Sequence, residues 1–130
     1  MVTGYSVAIN DTRDTILVKH VRRADTFFSR LRGLTFRRHL GADEGLLLVG
    51  RNESRAEAAI HMFFVFFSIG VVWLDRENRV VDQVVARPFR PYYAPSGPAI
   101  GILECHPDCL GQVAVGDRLR FVPHEGEHAT

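Results

Sequence analysis

The sequence predicts a mainly β fold, a compact β-sandwich or flattened β-barrel with one short α-helix, and three observations lead there. Residues 60–75, IHMFFVFFSIGVVWLD, form an almost unbroken apolar run rich in aromatic and β-branched side chains, the composition that pleated strands favour. Short alternating segments separated by Asn, Asp, Gly and Pro clusters recur along the rest of the chain, as strands joined by turns do. One stretch, near residues 25–34, has helical spacing instead. At 130 residues the chain is long enough for one domain with a single core. Its 46% hydrophobic and 24% charged residues are a globular composition, not that of a disordered segment.

Tyr5, Val7 and Ile9 alternate, residues 10–14 (NDTRD) supply turn chemistry, and residues 15–21 are again strand-like, which reads as an opening hairpin. Asp25 or Thr26 can cap a short helix in which Phe27, Leu31 and Leu34 follow at i, i+4 and i+7. After a loop at 41–45, residues 46–49 read as a short buried strand, and the polar stretch 51–58 reads as a surface loop. The long apolar run is too short to span a bilayer, which takes about 20 apolar residues, and it breaks naturally at Ser68-Ile69-Gly70. Both faces of its first half are apolar, so it is expected to be a central strand covered on both sides. Residues 75–78 are a turn, and 79–86 a strand with imperfect alternation, which suggests a bulge. Residues 87–98, with four prolines and Tyr92-Tyr93, form a long irregular loop. A strand at 99–105, a turn at Gly116-Asp117 and a closing strand at 118–122, with Leu119 and Phe121 inward, complete the domain. Residues 1–122 are therefore expected to form a single β-rich domain, and 123–130 a flexible C-terminal tail.

The first ten residues show no basic stretch followed by an apolar core, so no secretory signal is expected and the protein is read as cytoplasmic. Two cysteines suit that compartment. A formal net charge of +1 points neither to strong nucleic-acid affinity nor away from it.

Several elements match one family in order. Gly33-Leu34 with Arg37 and Leu40, then Gly45-Leu46-Leu47-Leu48, resemble a "GL–R–L" and a "GLLL" element. Residues 60–75 resemble the form IHTFFMRFPIDVVFLD, and Leu103-Glu104 and residues 116–119 resemble "LEL" and "GDRL". Together these resemble the domain-of-unknown-function family number 192 over roughly residues 20–122. The resemblance implies a compact, mostly β fold with one short helix and brings no established activity. The chain departs from the pattern at Met62, Val65, Ser68 and Gly70, where Thr, Met, Pro and Asp are usual, and retains His61 and Glu104.

His61 and Glu104 are the best pair for a polar site, because each sits on an otherwise apolar face. A buried ionised carboxylate needs a partner, so Glu104 is expected to be paired with an Arg or with His61 and its pKa depressed. A histidine tuned by a carboxylate can act as acid, base or ligand. The bland alternative is a polar pair that pins strand register. Arg87, Arg90 and Tyr92 of the long loop extend the candidate ligand-binding set. Cys105-His106-Pro107-Asp108-Cys109 is read as two free thiols, with a short-loop disulfide or a metal knuckle as alternatives. Its C-x3-C spacing has no complementary second cluster, so no metal and no cofactor are assigned. The basic stretch 19–39 and its arginines admit weak nucleic-acid binding, with Phe89, Tyr92 and Tyr93 of the long loop as candidate stacking platforms, against a solvated face that covers apolar surface. Phosphate loops, paired catalytic acids and nucleophile elbows are absent from the sequence.

The function expected first is thus a non-enzymatic ligand-binding module, with a cleft near His61, Glu104 and the 87–98 loop and a small molecule or peptide as partner. The second is a hydrolase or metal-dependent enzyme using His61 and Glu104. The third is weak nucleic-acid binding through the 19–39 arginines. No membrane partner is expected, and nucleic acid is the least favoured partner.

Overall fold

The computed structural model describes residues 5–24, 40–62, 65–90 and 92–123. The predicted helix at 25–34 lies outside the described residues, as do Phe63, Phe64 and residues 124–130 of the predicted tail. The strands are β1 (Ser6–Asn10), β2 (Thr15–Ala24), β3 (Glu44–Ser54), β4 (Ile69–Leu74), β5 (Val80–Ala86), β6 (Ala99–Cys105) and β7 (Leu119–Pro123). A 3-10 helix, Pro107–Gln112, lies between β6 and β7. The strands form one sheet in the order β5-β4-β6-β3-β2-β1-β7, curled into a half-barrel, so the mainly β prediction holds in its barrel form. Every neighbouring pair is antiparallel except β2 with β3. The two outermost strands meet at one end: the Val80 N–H donates to the Asp117 carbonyl (2.8 Å) and the Leu119 N–H to that of Asn78 (2.9 Å).

Curling gives the sheet two separate cores, and strand alternation sorts side chains between them. The inner core takes Ala8, Val18, Val21, Leu47, Val72, Leu74, Leu103 and Leu119 from strands around the curl, with Cys109 and Val113 closing it. The outer core takes Leu46, Leu48, Ile69, Val71, Trp73 and Ile102, covered by Ala58, Met62 and Val65. β4 is consequently buried at every position, as a strand apolar on both faces must be. Its Trp73 ring nitrogen donates to the Ala58 carbonyl (2.8 Å), which satisfies the one polar atom that this large side chain buries.

Several sequence-based boundaries shift. The apolar run 60–75 supplies one strand only, β4; residues 60–62 and 65–68 run as a covering segment whose sole ladder contact is the isolated bridge Ile60–Tyr93. β3 continues to Ser54 through residues expected to be loop, after a register break between Val49 and Ser54. β7 extends to Pro123, which pairs with Ser6, so the first residue of the expected tail belongs to the sheet. The bulge expected in β5 is present, as a register shift opposite Trp73 and Leu74.

The 3-10 helix answers to no sequence expectation. Pro107 opens it, and the ring nitrogen Nδ1 of His106 accepts the Asp108 N–H (3.1 Å), which satisfies an otherwise orphaned helix-start donor. Cys105 and Cys109 flank this turn and are joined by a disulfide. The expectation of free thiols is corrected: the last residue of β6 and the middle of the helix face each other across one turn, which brings the two sulfurs together.

Candidate functional site

Two segments with no acidic residue, 60–68 and 87–98, are stitched together over the outer core. Ile60 and Tyr93 exchange both backbone hydrogen bonds (2.8 and 2.9 Å), the Met62 N–H donates to the Arg90 carbonyl (2.9 Å), and the Phe89 N–H donates to the Met62 carbonyl (2.9 Å). Met62 and Val65 point down into the core, while His61 and Phe66 are exposed. The Tyr93 hydroxyl accepts the Arg87 N–H (2.9 Å), and the Arg90 guanidinium lies 5.9 Å from the Tyr93 ring centroid, within cation–π range.

Phe89 is the conspicuous residue of this surface. Its φ is 63°, a left-handed conformation that is a genuine outlier for a bulky side chain and costs roughly 1–2 kcal/mol. The conformation turns its ring outward, half exposed, against the equally exposed Phe66, with centroids 5.3 Å apart and planes at 70°. Tyr92, 63% exposed, follows on the same loop, and Arg87 and Arg90 are exposed there too.

Glu104 is elsewhere. It pairs with Leu46 on one side and Val71 on the other, both members of the outer core, and is buried at 8% exposure. Among the described residues no side chain or backbone group hydrogen-bonds its carboxylate. Burial alone raises its pKa to about 7, because an apolar environment disfavours the charged form. The expected paired carboxylate with a depressed pKa is therefore corrected. The structure does not join Glu104 to His61, which is exposed; it gathers His61, Arg87, Arg90 and Tyr92 on the two stitched segments and leaves Glu104 in the core.

Other candidates resolve into structural roles. Asp117, from the GDRL-like element, braces the turn before β7 against the end of β1: its Oδ2 accepts from the Asn10 side-chain amide (2.9 Å), the Arg13 Nε (2.8 Å) and the Ala114 N–H (3.0 Å). These bonds hold its pKa below the ordinary value, the Asn10 bond contributing most. The Cys105–Cys109 disulfide leaves no thiolate pair for a metal knuckle. Among the described residues no group of three or more His, Cys, Asp or Glu side chains is placed to hold a metal ion. Of the basic stretch 19–39, Lys19, Arg22 and Arg23 are exposed on β2; its remaining arginines lie outside the described residues. The sequence reading missed Phe66, while Phe89 stood in it, with Tyr92 and Tyr93, only as a stacking platform for nucleic acid. The signal for Phe66 was available, since it stands where the family-like form carries an arginine.

A small β half-barrel with an aromatic and basic loop surface defines the class of domain. The chain belongs to the DUF192 family, described as an uncharacterised ACR, whose model matches residues 7–121. It is 42% identical to the UPF0127 protein of Thermococcus sibiricus over 74% of this chain and 60% of that one. With a UPF0127 protein of Pyrococcus furiosus it shares 35% identity over 87% of this chain and 96% of that one. The match thus spans less than two thirds of the T. sibiricus relative. The fold is similar to the crystal structure of a protein of unknown function from Novosphingobium aromaticivorans, with a TM-score of 0.75 and 20% identity over 88% of this chain and 83% of that one. Such identity shows the fold alone. Among the described residues, no helix is long and apolar enough to cross a membrane.

Proposed function

We propose that this domain is a non-enzymatic binding module whose ligand surface is built from the stitched segments 60–68 and 87–98, and that it takes an anionic small molecule or an acidic peptide. The observation that carries this reading is the left-handed backbone of Phe89, which holds an apolar ring in solvent beside Phe66. Backbone strain retained to expose an aromatic side chain is a mark of function rather than of folding. The chemistry of the partner follows from the surroundings. Arg87, Arg90 and His61 stand on segments that hold no carboxylate, and arginine forks match carboxylate and phosphate groups. Exposed Phe and Tyr rings add apolar contact area at low entropic cost. The enzyme reading has less support, since proton transfer needs a pair within hydrogen-bond reach, and among the described residues the buried Glu104 carboxylate has no hydrogen-bond partner, while His61 is exposed.

The test is an amide-resolved NMR titration with a short Glu- and Tyr-containing peptide and, separately, its Lys-substituted counterpart. The acidic peptide is expected to shift the amides of residues 60–62, 65–68 and 87–90, and Arg87→Ala with Arg90→Ala to weaken binding roughly tenfold. Equal response to both peptides, or shifts confined to another face, would refute the proposal.

A further inference from the structure

One side chain, that of Tyr93, meets both ends of the turn that presents Phe89. Its hydroxyl accepts the Arg87 N–H at 2.9 Å, and the Arg90 guanidinium lies over its ring, 5.9 Å from the centroid. The ring itself is half-buried against the outer core, and the Tyr93 backbone is locked to Ile60 by two hydrogen bonds (2.8 and 2.9 Å).

The turn needs such an anchor. It runs from Arg87 to Arg90 with Pro88 and Phe89 at its centre, closed by one long hydrogen bond from the Arg90 N–H to the Arg87 carbonyl (3.4 Å). A positive φ at the second central position is glycine's place in a turn, yet Phe89 adopts it at 63°. Such a conformation persists only where its surroundings over-determine it, and a bond of 3.4 Å does little of that work. The hold comes from outside the turn. Met62 contributes two bonds of 2.9 Å, to the Phe89 N–H and the Arg90 carbonyl, but through its backbone, which any residue supplies. Tyr93 contributes a hydroxyl at one end and a ring at the other, which only tyrosine supplies together.

The arginines so placed keep their donors open. Among the described residues neither Arg87 nor Arg90 makes a side-chain hydrogen bond or ion pair. A guanidinium held over an aromatic face retains its planar fork of N–H groups for an oxyanion, and a group already in position has less freedom to lose on binding.

We infer, on the reading of this surface as a binding site, that Tyr93 is its positioning residue: its hydroxyl and ring hold Arg87, Arg90 and the outward Phe89 ring in one binding-ready arrangement for an oxyanion-bearing ligand.

Two substitutions separate the two contacts. Tyr93→Phe removes the hydroxyl and keeps the ring, whereas Tyr93→Leu removes both and keeps apolar bulk on the core. In NMR spectra of the free parent the Arg90 side-chain protons are expected to be shifted upfield by the ring, a shift that Tyr93→Phe keeps and Tyr93→Leu loses. Amide exchange at Arg87 is expected to quicken severalfold in both variants, while that of β4 and β6 stays as in the parent. With the Glu- and Tyr-containing peptide as probe, affinity is expected to fall about fivefold in Tyr93→Phe, the worth of one hydrogen bond, and by roughly two- to fivefold more in Tyr93→Leu. The inference is overturned if the parent shows no upfield shift at Arg90, if Tyr93→Phe matches the parent in Arg87 exchange and in affinity, or if affinity falls only together with faster exchange in β4 and β6, the mark of a merely structural residue. A parent that ignores the acidic peptide would instead refute the surface as a ligand site, and the free-protein signals of Arg87 and Arg90 would still decide whether Tyr93 holds the turn.

Discussion

Glu104 carries its carboxyl between Leu46 and Val71 in the outer core, and its pH behaviour follows from that place. In the unfolded chain it titrates near its ordinary value of 4.5, and in the folded protein near 7. Below the unfolded value both states are protonated and stability is highest. Between the two values the folded state keeps a proton that the unfolded state has released, so stability falls as pH rises and levels off once the folded group ionises. The total is on the order of 3 kcal/mol. Glu104→Gln removes the ionisation and is expected to be within about 1 kcal/mol of the parent at pH 5 and about 2–3 kcal/mol more stable at pH 8.5. Urea melts at the two pH values check this, and parallel pH profiles for parent and variant would contradict it. That Glu104 is buried was legible from its place after Ile100 and Ile102. Its lack of a hydrogen-bond partner among the described residues was not. The glycine that replaces the family-like aspartate, Gly70, lies opposite Cys105 on the inner side of the sheet, whereas Glu104 faces outward, and a family pattern without strand register does not separate the two faces.

At the scale of elements, the same Gly70 explains how the 3-10 helix packs. A Cβ at this position would lie 3.1 Å from Leu110 Cγ and 3.2 Å from the His106 carbonyl oxygen. A side chain at position 70 therefore fits only if Leu110 or the helix backbone gives by a few tenths of an ångström. Gly70→Ala is expected to destabilise by about 1–3 kcal/mol, because the carbonyl is backbone and yields only by moving the helix; a thermal melt no different from the parent would show that the helix shifts freely. β4 was legible from its β-branched composition, and the bulge in β5 from its broken alternation. The covering segment was not, because an apolar run buried under its own loop reads the same as one buried in a sheet. The 3-10 helix left a faint signal, a capping histidine before Pro107, too short for any periodicity to reveal.

At the scale of the molecule, one buried carboxylate ties the turn after β1 to the turn before β7, two neighbours at one end of the sheet. Asp117 accepts from Asn10, Arg13 and Ala114, and Asn10 in turn reaches the Gln112 carbonyl (3.0 Å). Asp117→Ala strands those donors and is expected to cost about 2–3 kcal/mol at pH 7. Since the folded pKa is depressed from 3.8, this stabilisation is present above the unfolded value and lost as pH falls through the folded one. The deficit of the variant in urea melts should therefore shrink toward pH 2; a deficit that is constant with pH would assign the effect to packing. The number and hand of the sheet neighbours were the least legible features, since a mainly β sequence specifies strands more sharply than their order. That order has a consequence for biosynthesis. β7 pairs with β1 across the full length from Ser6–Pro123 to Asn10–Leu119, so the outer edge of the sheet's first strand in chain order waits for its last. Until residues 119–123 emerge, every nascent chain presents an open strand edge of the kind that recruits neighbouring chains. Its exposure ends only when translation of the sheet does.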